Sequence, residues 1–181
     1  MNPKPLAAVL AAALLSACVA PLPYNQRVPK SATYQRLDTQ LHAAPAADAA
    51  QIEQLQNLVR LTLPERSLFA DSAAEPDEAG KALLAQLAPA LKGLNAQRVV
   101  VKSFTDSVSS GIEPPARFPS TVALTQARAA AVAAFLSGQG VPAIIVYTSG
   151  LGDAHPVASD DTPQGRAKNR RVEIDVVEAP A

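Results

Sequence analysis

The sequence has few of the residue types that build covalent cross-links and metal sites. Its 181 residues include one cysteine, which excludes an internal disulfide bond and every zinc site that needs several cysteines. The two histidines, His42 and His155, lie far apart in the chain and give no metal-ligand spacing. Because 16 Lys and Arg balance 16 Asp and Glu, a nucleic-acid partner held by bulk charge is not expected. The sequence therefore predicts no metal, no cofactor and no nucleic-acid partner.

Long apolar segments are also lacking, and the one apolar run lies near the amino terminus. Residues 6–15 are rich in Ala and Leu, follow Lys4, and lead into Ser16-Ala17-Cys18. A membrane-spanning helix needs about 20 apolar residues and this run has roughly half that number, so residues 1–17 are predicted to be a signal peptide. Residues 15–18, Leu-Ser-Ala-Cys, resemble the lipobox of bacterial lipoproteins. The resemblance implies cleavage before Cys18, lipidation of Cys18 and, since Val19 is not Asp, sorting to the outer membrane. An ordinary cleavage site with a chance cysteine is the alternative.

Residues 18–50 are predicted to be a flexible tether between the lipidated cysteine and a folded domain at residues 51–178. Pro21, Pro23, Pro29 and Pro45 are spread among Ala, Gln, Thr and Asp without a sustained apolar period. About 30 extended residues span on the order of 100 Å, which is enough to hold a domain away from a membrane. A helical period over residues 48–58 predicts a short helix leading into the domain.

The domain alternates between strand and helix patterns. In chain order, the predicted elements are a strand at 59–63, a helix from 76 that Pro89 kinks or ends, a strand at 99–101, a helix at 123–136, a strand at 144–148, a short helix capped by Thr162, and a strand at 172–176. Interleaved elements of this kind predict a two-layer α/β sandwich.

Two charged residues occupy positions that suit a ligand. Asp106 directly follows a buried strand, where α/β folds commonly bind ligands, although a capping aspartate explains the position equally well. Arg128 borders the apolar face of a helix near its positive end, where a cation is unfavourable unless it shares an anion with the free backbone N–H groups. The alternative is an arginine whose head group reaches water. An aspartate suits an ammonium group and an arginine suits a carboxylate, so the pair predicts a zwitterionic ligand.

Catalysis finds no support in the same segments. His155 precedes Pro156 in a predicted loop and has no identifiable Ser or Cys partner. The Gly150-x-Gly152 motif is too short to be a nucleotide-binding loop. Because no nucleophile, base and orienting acid can be assembled, the chain is predicted not to be an enzyme.

Four short motifs, in order between residues 58 and 177, resemble the OmpA-like C-terminal domain family, the peptidoglycan-binding module also found in the peptidoglycan-associated lipoprotein. They are Thr105-Asp106, Leu124-Thr125 with Arg128-Ala129, Gly150-x-Gly152 with Pro156-Val157, and Asn169-Arg-Arg-Val-Glu-Ile174. The resemblance implies a β-α-β-α-β-β sandwich on a mixed four-stranded sheet. It implies that Asp106 binds the ammonium and Arg128 the carboxylate of diaminopimelate in the peptide stem. The candidate supporting residues are Thr105, Thr121, Leu124, Asn169 and Arg170.

The rim of this predicted site departs from the family pattern. Ser103-Phe104 replaces the usual Gly-His or Gly-Tyr, and Thr121 replaces the usual Asn. The 107–123 loop is longer than is typical and is predicted to be poorly ordered or to become ordered only on binding. The sequence thus predicts an outer-membrane lipoprotein whose domain faces the periplasm and anchors the membrane to peptidoglycan. The alternative is an envelope adaptor that uses the fold mainly for a protein partner.

Overall fold

The computed structural model describes residues 29–44, 50–92, 96–107 and 118–178. The strands are β1 (Gln51–Leu55), β2 (Leu58–Pro64), β3 (Ala96–Phe104), β4 (Val146–Gly150) and β5 (Arg171–Glu178). The helices are α1 (Ala32–His42), α2 (Glu78–Lys92), α3 (Thr121–Gly138) and α4 (Pro163–Asn169), with short 3-10 turns at Glu65–Ser67 and Ala143–Ile145. The predicted α/β sandwich is confirmed, but its mixed sheet has five strands rather than four.

The sheet has the strand order β1-β2-β5-β3-β4, and only the β3–β4 pair is parallel. Alternation in the three central strands places their apolar residues on one face, as the period of two predicts. These buried residues are Val59, Leu61, Leu63, Val99, Val101, Val172, Ile174 and Val176. The apolar faces of α1, α2 and α3 complete the same core, with Leu37, Leu83, Leu84, Leu87, Leu91, Val132 and Leu136.

One edge of the sheet collects the ends of four strands. Because β5 runs antiparallel to β2 and β3, Arg171 pairs with both Pro64 and Phe104. The parallel strand β4 ends beside β3, where Gly150 pairs with Ser103. The residues that follow β2, β3 and β4, and the residue that precedes β5, therefore meet at this edge.

The predicted tether is wrong over residues 29–44, which contain α1. Ser31 caps this helix by accepting a hydrogen bond from the Tyr34 backbone N–H, and its own N–H donates to Gln54 Oε1 at 3.2 Å. Leu37 and Leu41, one turn apart, are buried in the main core. Two leucines among polar residues make too short a period to identify from sequence, and packing against α2 stabilises the helix. Residues 1–28, including Cys18 and the predicted signal peptide, lie outside the described residues.

Three smaller differences have local causes. The lead-in helix over residues 48–58 is wrong, because β1 and β2 form a hairpin in which the buried Gln54 side chain donates to two backbone carbonyl groups of the turn region. Pro89 does not end α2, which continues to Lys92 with Pro89 on its exposed side. Strand β4 begins at Val146 because residues 143–145 form a 3-10 turn.

The predicted 107–123 loop is only partly described. Residues 108–117 lie outside the described residues, whereas α3 already begins at Thr121 with Ser120 as its cap. The start of α4 agrees with prediction, since Thr162 caps it and Pro163 is its first residue. In the described ranges, no helix has both the length and the apolar character that crossing a membrane requires.

Candidate functional site

Both predicted ligand residues lie at the sheet edge where β2, β3 and β4 end. Asp106 stands two residues beyond β3, and the intervening Thr105 donates its N–H to the Gly152 carbonyl at 2.8 Å. Arg128 comes from the amino-terminal half of α3, which is held to the end of β4 by a hydrogen bond from the Gly152 N–H to Thr125 Oγ1 at 2.9 Å. The topology therefore brings two segments that are distant in sequence to one place.

Arg128 is buried and held on several sides. Only 2% of the residue is exposed, so the alternative in which its head group reaches water is wrong. Its Nε donates to the Ala73 carbonyl at 2.8 Å, its Nη2 lies 2.9 Å from Glu65 Oε1, and its guanidinium stacks over the Phe69 ring at 5.1 Å. Burial lowers the pKa of Arg128, and the Glu65 carboxylate opposes that shift. An arginine stays protonated under these conditions, so the site contains a fixed, buried cation.

Asp106 is equally buried, and it forms an ion pair with Nη1 of Arg170. The Arg170 side chain is about one-third exposed, so this pair connects a buried carboxylate to the surface. The prediction placed Arg170 among the supporting residues, and the structure puts it in direct contact with Asp106. Asp106 and Arg128 thus each have a different oppositely charged partner.

Glu65, which was not among the predicted site residues, connects the two ion pairs. Its backbone N–H donates to the Arg170 carbonyl at 3.0 Å, while its side chain contacts Arg128. Burial raises the pKa of Glu65, Asp106 acts in the same direction, and Arg128 and Arg170 act against it. Glu65 follows the last residue of β2, so the signal that singled out Asp106, an acid just beyond a strand, could also have found it. We refer to Glu65, Asp106, Arg128 and Arg170 as the four-charge cluster.

Two oxygen atoms at this edge have unused hydrogen-bonding capacity. Among the side chains that the structure describes, the buried atoms without a hydrogen-bond partner are Glu65 Oε2 and Thr105 Oγ1. A buried polar atom left in this way costs about 1–3 kcal/mol, and native proteins keep few of them. A ligand with hydrogen-bond donors would satisfy both atoms.

Asn169 and Asp160 shape the loop beside the four-charge cluster. The buried Asn169 amide accepts from the N–H groups of Val157 and Ala158 and donates to Asp160 Oδ1 at 2.6 Å. Asp160 in turn accepts from the Ser107 N–H at 3.0 Å, next to Asp106. Hydrogen bonds from Ser107 and Asn169 lower the pKa of Asp160. Asn169 therefore supports the site indirectly, and Asp160 is a further supporting residue that was not predicted from the sequence.

Thr121 and Leu124 lie on the first turn of α3, at the rim. Thr121 Oγ1 donates to Asp153 Oδ1 at 3.4 Å, and Leu124 is half-buried. Gly152 lies against this turn with a φ of +56°, and a Cβ there would come within 2.9 Å of Thr121 Oγ1. The positive φ, together with this close approach, explains the glycine of this motif. Within the described ranges, no group of three or more His, Cys, Asp or Glu side chains is placed to hold a metal ion.

Comparisons with known proteins match the region that contains this site. The model of the OmpA family matches residues 68–170. Outer membrane protein A of Bordetella avium is 34% identical over 109 residues, which are 60% of this chain and 52% of that protein. Peptidoglycan-binding protein ArfA of Mycobacterium tuberculosis is 36% identical over 133 residues, 73% of this chain and 36% of ArfA. Probable lipoprotein YiaD of Escherichia coli is 39% identical over 114 residues, 63% of this chain and 49% of YiaD. The chain thus matches only about half or less of the length of these relatives.

Solved structures extend the likeness to a larger share of the chain than the family model covers. A putative MotB-like protein from Desulfovibrio vulgaris superposes with a TM-score of 0.74 at 25% identity, covering 81% of this chain and 92% of that one. The cell wall anchor of the T6SS from Pseudomonas aeruginosa gives a TM-score of 0.69 at 30% identity, covering 79% and 97%.

Proposed function

Because the chain belongs to the OmpA family, we propose that it is a non-catalytic outer-membrane lipoprotein that binds peptidoglycan non-covalently and anchors the membrane to the cell wall. The observation that carries this proposal is the four-charge cluster at the sheet edge, in which Asp106 and Arg128 are buried. Two carboxylates and two guanidinium groups offer both signs of charge within one site. Such a site suits a zwitterionic ligand, and the cell wall contains one in the free end of diaminopimelate.

The ligand assignment follows from the hydrogen-bonding chemistry of the two predicted residues. An ionised aspartate only accepts hydrogen bonds, so Asp106 suits the ammonium of diaminopimelate. The polar contacts that Arg128 makes within the described residues use Nε and Nη2. We assign Nη1 of Arg128 to the ligand carboxylate, as a donor that these contacts leave available.

The names of the relatives support the same function and location. ArfA is named a peptidoglycan-binding protein, and the Pseudomonas aeruginosa structure is described as a cell wall anchor. Two relatives are named as an outer membrane protein and a probable lipoprotein. These names, together with the lipobox-like residues 15–18, favour a lipid anchor at Cys18 and a domain that faces the periplasm.

Retention of the full chain on isolated sacculi tests wall binding directly. The protein, kept in detergent, should sediment with sacculi, and a peptide with a free meso-diaminopimelate end should compete for it. Failure of the folded wild-type chain to bind either material would contradict the proposal. The adaptor alternative would then be favoured, and a crosslinked envelope protein would be its positive evidence.

Replacing Cys18 by Ser tests the anchor separately. The variant should lose membrane fractionation or remain unprocessed, because stable anchoring requires several acyl chains at this residue. Mass spectrometry of the mature amino terminus provides the second measurement. Unchanged fractionation together with an unchanged mass would contradict lipidation and leave the wall-binding proposal intact.

A further inference from the structure

We propose that Glu65 is a second acidic residue of the ligand site, whose Oε1 orients Arg128 and whose Oε2 accepts a hydrogen bond from the ligand ammonium. The inference rests on the proposed function, since it concerns the same zwitterionic ligand. It adds a contact that neither the sequence motifs nor the comparisons assign.

The backbone holds Glu65 in place between the two arginines. Glu65 opens the 3-10 turn Glu65–Ser67 directly after Pro64, and its N–H is bonded to the Arg170 carbonyl at 3.0 Å. Its Oε1 lies 2.9 Å from Arg128 Nη2, and its side chain is 15% exposed. A residue tied at both its backbone and its side chain presents its remaining oxygen atom in a defined direction.

The geometry of the ligand requires an acceptor close to Arg128. The ammonium and carboxylate of a free diaminopimelate end are attached to the same carbon atom, so the groups that bind them must be neighbours. Glu65 is in direct contact with Arg128, whereas the ion pair of Asp106 is made with Arg170. Glu65 is therefore the carboxylate placed beside the donor that would bind the ligand carboxylate.

The number of acceptors also fits an ammonium group. An ammonium on a carbon atom has three N–H donors. The two buried oxygen atoms without a partner in the described part of the chain, Glu65 Oε2 and Thr105 Oγ1, provide two acceptors. The Asp106 carboxylate provides the third. A purely structural role for Glu65 explains its contact with Arg128 but leaves the buried Oε2 atom unexplained.

Two peptide probes separate ligand contact from positioning. The first carries meso-diaminopimelate, and the second carries 2-aminopimelate, in which the free amine is replaced by hydrogen and the carboxylate is kept. We would titrate both into the full chain in detergent, comparing the wild type with Glu65→Gln and with the exposed control Glu75→Gln. The Glu65→Gln side chain keeps an oxygen acceptor for Arg128 while it removes the negative charge.

We expect Glu65→Gln to weaken binding of the diaminopimelate probe about tenfold, because one charge-assisted contact is lost. Its affinity for the aminopimelate probe should change less than about twofold. Glu75→Gln should change neither. If Glu65→Gln weakens the binding of both probes equally, Glu65 only positions Arg128. If the affinity for both probes is unchanged, Glu65 does not contribute to binding. Either result would overturn the proposal. If the wild type binds neither probe, the proposed function itself fails, so the two failures are distinguishable.

A titration of the wild-type chain keeps the test independent of whether the variant folds. The carboxyl carbon of Glu65 can be followed by NMR through a pH titration with each probe bound. An ammonium beside Oε2 should lower the pKa of Glu65, whereas the amine-free probe brings only a carboxylate near Arg128 and should raise it. The pKa of Glu65 also depends on the nearby charges of Arg128, Arg170 and Asp106. These charges are present in both titrations, so the comparison between the two probes isolates the effect of the ligand ammonium. A pKa that moves the same way with both probes would overturn the proposal.

Discussion

Charged side chains are buried in two regions of this protein, and the two regions differ in how completely they are paired. On the sheet face away from the helices, Asp175 accepts from Arg60 at 2.7 and 2.9 Å and from Lys102 at 2.5 Å. Beside it, Glu173 pairs with Arg171 at 2.7 Å and with Arg60 at 3.4 Å. We call these five residues the sheet-face network. Each oxygen atom of its two carboxylates has a cationic partner.

In the four-charge cluster at the sheet edge, by contrast, not every carboxylate oxygen atom has a partner. Glu65 Oε1 contacts Arg128, whereas Glu65 Oε2 is buried without a hydrogen-bond partner. The Thr105 hydroxyl, just beyond the end of β3, is also buried without a partner. A saturated network can support the fold without any ligand, whereas an unsaturated one keeps hydrogen-bonding capacity for a ligand. The comparison supports the proposal that the sheet-face network stabilises the domain, whereas the four-charge cluster binds the ligand.

The largest expected effect is on stability, from Asp175→Ala in the sheet-face network. Removing this carboxylate leaves Arg60 and Lys102 without their main partner, and breaking a buried pair of this kind costs about 3–5 kcal/mol, reduced here to roughly 2–4 because both cations are partly exposed. Denaturant unfolding measures the loss, with the exposed Asp71→Ala as control. Sacculus binding by the folded fraction should be unchanged, and a binding defect that exceeds the unfolded fraction would contradict the comparison.

The next effect is on binding, from Arg128→Lys in the four-charge cluster. A lysine provides a point charge without the fork of donors, so the ligand carboxylate should lose a contact worth about 1.5–3 kcal/mol, and affinity for the diaminopimelate peptide should fall roughly ten- to a hundredfold. Asp106→Asn should lower affinity for the same peptide by a similar factor, because it removes the negative charge that would bind the ligand ammonium. Melting temperature is measured on the same preparations, with the exposed Arg66→Lys as control. Folded variants that bind at wild-type strength would refute the ligand assignment.

The two regions should also differ in how stability depends on pH. Burial acts to raise the pKa of Asp175, but hydrogen bonds from Arg60 and Lys102 lower it below its ordinary value of 3.8, so its stabilising contribution is complete above that pH and is lost as the pH falls through the lowered value. The pKa of Glu65 is raised above 4.5, so folding favours its protonated form.

Stability measured against pH can separate these contributions. Relative to Glu65→Gln, the wild type should become more stable as the pH falls from the raised pKa of Glu65 towards 4.5, and should change little below that. Relative to Asp175→Ala, it should lose its advantage only below pH 3.8. A wild type that instead loses stability relative to Glu65→Gln between neutral pH and 4.5 would contradict the environment described for Glu65.

The smallest expected effect comes from Thr105→Val, which removes one unpartnered hydroxyl group and keeps the side-chain shape. Binding of the diaminopimelate peptide should weaken by about 0.5–1.5 kcal/mol, the worth of one neutral hydrogen bond. The free energy of unfolding should stay the same or increase slightly, since the hydroxyl has no partner in the described part of the protein. Thr62→Val, on β2 away from the cluster, is the matched control. Clear destabilisation without a change in binding would assign the Thr105 hydroxyl to the fold.

Much of the fold could be predicted because local patterns report burial. Alternation in β2 and β5 identified their buried faces, and the leucine stripe identified α2, since these periods follow from the geometry of a single element. The pattern failed for α1, where two buried leucines are too few to establish a period, and for β1, whose pairing with β2 decides its conformation. Both errors fall where packing against another element outweighs local preference.

The sequence by itself determined that Asp106 follows a strand end and that Arg128 lies beside the apolar face of a helix, and it predicted a zwitterionic ligand for the pair. Only the tertiary structure decided which residues surround them: Arg170 against Asp106, and Glu65, with the Ala73 carbonyl, around Arg128. The physical reason is that a residue's position within a helix or strand depends on its near neighbours in the chain. Its partners depend on strand order and direction, and the antiparallel placement of β5 between β2 and β3 brings Glu65, Asp106 and Arg170 to one edge.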